Sequence, residues 1–418
     1  MYKLLQRLVL FGSLTWLGAA NAQLNIQITK GAEGALPIAI VPFAGTAPQD
    51  IAGIVAADLQ RSGRFRVPSP QSYGDRPSEL AELNTATFRA LPVDYVTVGR
   101  VTPSGAGYSV QFQLADAFQG QQQLGFTFNV APQELRRVAH KIADLIYEKL
   151  TGEPGAFDTR IAYITVAGGT YSLVVADADG FNPHVVLRST EPLMSPAWSP
   201  DGNRLAYVSF EGKRAQIVVQ DVFSGARQVI SSTPGINGAP SWSPDGSRLA
   251  FTLSKDGNPE IYVASAGGGG VTRLTDNPAI DTEPAWSADG RSIYFLSDRG
   301  GGPQIYRMSA GGGGAERVTY EGDYNASPAL SPDGQYLAFV HRSGGFRIAV
   351  MDLRTRQTRV LTSGGLDESP SFAPNGRMII YANGRGGLAA ISVDGRVQQS
   401  LAAPGSEVRE PAWSPSLR

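Results

Sequence analysis

Leu24, Ile26 and Ile28 alternate with Asn25, Gln27 and Thr29, so a strand with one apolar face is expected close to the amino end. The pattern then changes. LPIAIVPF (36–43) is the continuous apolar run of a buried strand, and QDIAGIVAADLQRSGRF (49–65) sets Ile51, Ile54, Val55 and Leu59 on one face of a helix. DYVTVGRV, GYSVQFQLAD and QLGFTFNV read as three strands. PQELRRVAHKIADLIYEKLTG reads as a second helix, with Pro132 near its start and Gly152 just past its end. Its stripe is Leu135, Val138, Ile142, Leu145, Ile146 and Leu150. This mixture predicts a small α/β domain over 34–151. The segment GEPGAFD (152–158) links it to a second, repetitive region.

From residue 160 onward the pattern repeats. PAWSPDG stands at 196–202, PSWSPDG at 240–246, PAWSADG at 284–290, PALSPDG at 328–334 and PSFAPNG at 370–376, and PAWSPS closes the series at 411–416. Their large central residues are Trp198, Trp242, Trp286, Leu330, Phe372 and Trp413, spaced by 44, 44, 44, 42 and 41. Within one unit PSWS reads as a first strand, RLAFTL as a second, EIYVAS as a third and VTRLT as a fourth. PDG and KDGN are the turns and AGGGG a loop. Four short strands in about 40–45 residues make one β-propeller blade, and radial closure protects the sheet edges. RIAYITV (160–166), YSLVVAD and HVVLRS lack a first strand, and the one around Trp413 supplies it. The prediction is an α/β N-terminal domain followed by an all-β six-bladed β-propeller (159–418), closed by the C-terminal strand. The anchors recur in register with the blades, which assigns them to packing between blades.

The first 22 residues add a compartment. Lys3 and Arg7 precede a short apolar run, Leu8 to Leu17, and Ala20-Asn21-Ala22 has the form a signal peptidase cuts. The run is too short for a stop-transfer helix, and no later stretch approaches the roughly 18 apolar residues of a membrane span. Cleavage after Ala22 is expected, leaving 23–33 as a free amino-terminal segment. The chain has no cysteine, which excludes a lipoprotein, disulfides and thiolate chemistry together. Losing Lys3 and Arg7 takes the formal charge from −1 to −3, a balance with no electrostatic footprint for nucleic acid or anionic membrane.

Catalytic constellations are missing or weak. His140, His184 and His341 lie in different elements without metal-type spacing, and His140 reads as a surface or packing residue of the long helix. No G-x-S-x-G elbow is present. The AGGGG runs at 266–270 and 310–314 lack the Lys-Ser/Thr of a phosphate loop, and DADG (177–180) lacks the later ligands of a calcium loop. No cofactor or metal is expected. A binding candidate remains in the segments just before each anchor, read as blade-to-blade loops around one mouth of the channel. They carry Met194 and Ser195, Asn237 and Ala239, Thr282 and Glu283, Asn325 and Ser327, Asp367 and Glu368, and Arg409 and Glu410. Two other readings are a hydrolase-type propeller, for which no catalytic domain is visible, and a sugar- or cofactor-binding propeller.

The leader, the α/β domain and the W-S-P-D-G units together resemble the TolB family. GEPGAFDTRIAY, LMSPAWSPDG, NGAPSWSPDGSRLAF, DTEPAWS and REPAWSP carry the resemblance, which runs over essentially the whole chain after the leader. It implies a non-enzymatic, monomeric periplasmic scaffold of the Tol-Pal cell-envelope system, supporting outer-membrane integrity and constriction at division. It implies that the lipoprotein Pal binds the propeller mouth, where Asn237 and Ala239 of NGAP and Thr282 and Glu283 of DTEP match the family motif. Met194, Ser195, Asn325, Asp367, Glu368 and Arg409 join them by position. It also implies that the C-terminal domain of TolA takes the amino-terminal segment, Leu24, Asn25, Ile26, Gln27, Ile28 and Thr29. Group A colicins exploit such proteins in some bacteria. Two departures stand out: Ile236, where the family often has His, and Glu410, where an apolar residue is usual. The span from Gly376 to Leu388 is also shorter than that from Gly246 to Ile261. The amino-terminal segment is expected to have two resting places, docked on its own chain or paired with a partner's sheet edge.

Overall fold

The computed structural model describes residues 25–30, 34–402 and 406–417; the leader and Leu24 lie outside them. The α/β domain is a five-stranded sheet. β1 (Asn25–Lys30) is not part of it. Its strands are β2 (Leu36–Ile40), β3 (Phe65–Arg66), β4 (Tyr95–Ser104), β5 (Gly107–Asp116) and β6 (Gln122–Val130), in spatial order β3-β2-β4-β5-β6. β2 runs parallel to β3 and β4, and β4 to β6 form an antiparallel meander. Helices α1 (Ile51–Arg61), α2 (Thr85–Arg89) and α3 (Leu135–Thr151) complete it. The Asp50 carboxylate accepts the Gly53 N–H at 2.9 Å to cap α1, and Gly152 ends α3 at φ 75°. The apolar faces of α1 and α3 bury Val55, Leu59, Ile142 and Ile146 against Ile38, Ile40, Phe112 and Leu114. The opposite face of the sheet is closed by the segment around α2, where Tyr73 and Phe88 meet Val96 and Val98.

Six antiparallel blades come next along the chain. Blade 1 holds β7 (Arg160–Ala167), β8 (Thr170–Asp177) and β9 (His184–Ser189), and Glu407–Trp413 adds to β7 as its inner strand. Arg160 and Ser414 extend that closure: the Arg160 N–H donates to Ser414 Oγ and the Ser414 N–H to the Arg160 carbonyl, both at 2.8 Å. The anchors pack between blades as expected. Trp198, Trp242 and Trp286 are buried. Trp198 Nε1 donates to the Ala412 carbonyl and Trp242 Nε1 to that of Ala197, each at 3.1 Å, so an indole hydrogen-bonds to the preceding blade.

Two expectations about the blades are corrected. The first strand does not start at the Pro of PSWS. Inner strands run Leu193–Trp198, Asn237–Trp242, Asp281–Trp286, Asn325–Leu330 and Glu368–Phe372, so the residues read as blade-to-blade loops, Asp367 excepted, are strand residues. The fourth strand of blade 3 is shorter than VTRLT: only Thr272–Arg273 pairs. Thr275 then takes over the edge, its hydroxyl accepting the Ile261 N–H at 2.9 Å. Thr319 and Thr362 repeat the contact with Ile305 and Ile348. A hydroxyl clip thus replaces ladder pairing where the chain turns towards the next blade.

β1 lies antiparallel along the outer strand of blade 6, Gln398–Ala402, pairing Ile26 with Leu401 and Gln27 with Ser400. Among the described residues no other blade has a fifth strand. The shortened hairpin anticipated in the sequence, 384–386, belongs to this same blade.

Candidate partner-binding sites

The channel mouth is built from three successive positions of each inner strand. The residue three before each anchor is Ser195, Ala239, Glu283, Ser327, Ser369 or Glu410. All six have φ between 47° and 54°, and a proline follows each. Proline brings no N–H to the ladder, so pairing is interrupted there, and each inner strand shows a register shift at this point. A left-handed conformation at a residue with a Cβ costs about 1–2 kcal/mol, and here it recurs around the ring. The sequence signal for this device was the x-Pro step before every anchor.

These bulges turn side chains into a funnel of about 1520 Å³, lined by Met194, Ser195, Ala239, Glu283 and Glu368, with Glu410. The Glu283 carboxylate accepts the Ser327 N–H at 2.6 Å, and that of Glu410 accepts the Ser195 N–H. Each glutamate therefore reaches the bulge of another blade. Burial pushes both carboxyls up, against the pull of those backbone bonds, and Glu368 adds like charge to both. Glu410, a departure from the family pattern, is thus a channel residue.

The other expected residues are placed differently. Asn237, Asn325 and Asp367, five before their anchors, are buried and do not line the funnel. Asn237 Oδ1 accepts from Ser231 Oγ at 2.7 Å and its Nδ2 donates to the Thr233 carbonyl at 2.7 Å. Asn325 Nδ2 donates to Gln304 Oε1 and to the Glu321 carbonyl, both at 2.8 Å. The two asparagine side chains thus fix the strand entry. Thr282 shares a hydrogen bond with Thr252 at 3.1 Å, and Arg409 pairs with Glu407 at 2.8 Å. Sequence reasoning missed the residues one step earlier as a group: Ile236, Ile280 and Leu366 are about half exposed, and Met194, which it did mark, is 41% exposed. Their clue was an apolar residue just ahead of a polar one at the start of an inner strand. The funnel thus gathers the carboxyl groups of Glu283, Glu368 and Glu410 beside the exposed Met194.

At the other candidate site, the six residues of β1 add a strand to blade 6. Main-chain bonds of this kind can be exchanged for those of another sheet edge.

A buried polar cluster joins the two domains. His140 of α3 is 2% exposed, which corrects its reading as a possible surface residue. Its Nδ1 lies 2.6 Å from Asp58 Oδ2 of α1, and its Nε2 lies 3.8 Å from Asp179 Oδ2, in the turn after β8. These are the donor types of a metal site, within 4.8 Å of one another. Arg61 and Arg136 already pair with the two carboxylates, however, and their charges oppose a cation. The DADG turn is therefore part of an ion-pair network.

Comparisons with known proteins agree with this architecture. Residues 24–123 match the family described as the TolB amino-terminal domain, and residues 147–417 the one described as the TolB beta propeller domain. The chain is 56% identical over 204 residues to the Tol-Pal system protein TolB of Methylococcus capsulatus, covering 47% of this chain and 48% of that protein. It is 52% identical over 200 residues to that of Methylobacillus flagellatus, covering 46% of each. These alignments span about half the length of the curated relatives. The crystal structure of TolB from Acinetobacter baumannii superposes with a TM-score of 0.88 at 42% identity, over 94% of this chain and 100% of that one.

Proposed function

The chain belongs to the TolB family, and on that premise we propose that it is a periplasmic scaffold of the Tol-Pal cell-envelope system with two protein-binding regions and no catalytic role. The propeller mouth takes Pal, and the amino-terminal segment takes the C-terminal domain of TolA, linking outer-membrane integrity to constriction at division. Export would require cleavage after Ala22, outside the described residues. Among the described residues no helix is long and apolar enough to cross a membrane.

The observation that carries the two-region reading is the position of β1. It extends blade 6 from outside a ring that already closes through Trp413, so its departure leaves the ring intact. Docked, its backbone is occupied; released, it offers a strand to a partner's sheet edge. Pal can shift that equilibrium only by binding the two states with different affinity. The test is to delete residues 23–33, and separately to change Thr282 and Glu283 to Ala, and to measure both affinities. Loss of TolA binding in the first variant and weakened Pal binding in the second are expected. Unchanged TolA binding after the deletion would sink this reading.

A further inference from the structure

The network around His140 sits where α1, α3 and blade 1 meet, and its centre is closed to water. The His140 and Asp58 side chains are 3% and 2% exposed. Counted by direct contact, Asp58, Asp177 and Asp179 face Arg61 and Arg136. Arg61 Nη2 lies 2.9 Å from Asp58 Oδ1, Arg136 Nε lies 3.4 Å from Asp177 Oδ2, and Arg136 Nη2 meets Asp179 Oδ2. Three carboxylates against two guanidinium groups leave one negative charge, which a protonated His140 cancels. Protonation also gives Nε2, a buried atom with no hydrogen-bond partner, a proton to direct at Asp179. Burial alone would pull the imidazole down, but Asp58 and Asp179 outweigh it, against Arg61, and hold it up.

Further charged groups surround the network: His140 acts on the Asp158 carboxyl, and burial raises the nearby Asp144 carboxyl to about 6. Arg137 of α3 pairs with Asp158 of the linker at 3.2 Å, and the Asp144 carboxylate accepts the Phe157 and Asp158 N–H groups at 2.8 and 3.1 Å. Lys141 is exposed, and Arg160 adds positive charge near Asp177 and Asp158.

Helix α1 also touches the outer edge of blade 6, along which β1 lies. Three residues beyond Asp58, the Arg61 carbonyl accepts the Gln399 side-chain N–H at 2.6 Å. Gly63 presses on Val397 so closely that a Cβ there would meet it at 2.4 Å. Gln399 lies in the outer strand of blade 6 and pairs with Ile28 of β1.

We propose that His140 is a proton-operated latch between the domains: charged, it ties Asp58 of α1 to Asp179 of blade 1; neutral, it loosens α1 and with it the hold of blade 6 on β1. The relay to β1 rests on the reading of that segment as exchangeable. A raised imidazole binds its proton more tightly in the folded state. The latch is therefore fully closed below the ordinary imidazole value of 6.5 and opens as pH rises through the raised folded value.

The experiment is amide hydrogen exchange on the purified chain beginning at Gln23, with no partner present, between about pH 5.5 and pH 8, corrected for intrinsic exchange chemistry. Protection at Asn25–Lys30 and at the end of α1 is expected to fall several-fold across that range in the wild type. In His140→Gln and, from the propeller side, Asp179→Asn, it should be low and flat. A parallel NMR titration of the His140 ring in the wild type should show it charged at the acid end. An imidazole neutral throughout, a flat wild-type profile, or a slope that survives in both variants overturns the latch. Loosening of α1 without any change at Asn25–Lys30 overturns the relay. Partner binding is not read out, so failure of the TolA assignment would leave these results standing.

Discussion

Glu283 shows how much one side chain reveals only in three dimensions. The DTEP motif marked it, but its neighbours, Ser327 and Glu368, come from the next two blades. Its charged form is costly because burial raises its carboxyl. That cost applies above the raised folded value and vanishes as pH falls towards the ordinary 4.5. Glu283→Gln should therefore melt at a higher temperature than wild type near about pH 8, with the gap closing on acidification. Calorimetry on both proteins checks this, and a gap independent of pH would contradict it. Asn237 teaches the opposite lesson. It stands in the equally specific NGAP motif, yet its side chain is spent on Ser231 and Thr233, so motif membership did not distinguish a partner-facing group from a strand clip.

At the scale of elements, alternation at 24–29 was legible as a strand because side-chain direction in a strand has period 2. Where that strand goes was not legible, since any unpaired edge offers the same backbone groups. Blade 6 receives it where α1 also touches the outer strand, through Arg61 and Gln399. Adjacent amides of an edge strand point to opposite sides, so of Ile26→Pro and Gln27→Pro one must remove a ladder bond. That variant is expected to speed exchange at Gln398–Ala402 several-fold without changing the melting of the ring. Equal exchange in both variants and wild type would mean that β1 is not held through its backbone.

Across the whole molecule, stability depends on joining the two ends of the propeller. The inner strand Glu407–Trp413 completes blade 1, and Trp413 Nε1 donates to Thr159 Oγ1 at 2.9 Å, beside the linker. A chain ending at Ser406 exposes the edge of β7 and removes contacts of Trp198 with Ala412. It should lose the cooperative unfolding transition of the propeller and aggregate, whereas removal of residues 23–33 should leave that transition in place. Calorimetry and sedimentation of the two truncations separate these outcomes; a cooperative transition in the shorter propeller would show that closure is dispensable.

The sequence by itself determined the blade count, the closing strand, the two long helices of the α/β domain and the packing role of the tryptophans. These arise from local periodicity and from a repeat whose spacing sets one sheet per unit. It also marked Glu283, Glu368 and Met194 for the mouth. Only the tertiary structure decided which marked residues face the funnel, where β1 docks, and that His140 lies buried between Asp58 and Asp179. Those depend on contacts between residues 39 and 82 positions apart in the interdomain cluster, and on blades meeting around a ring. No window along the chain contains both partners, and burial rather than residue type sets the charge each group carries.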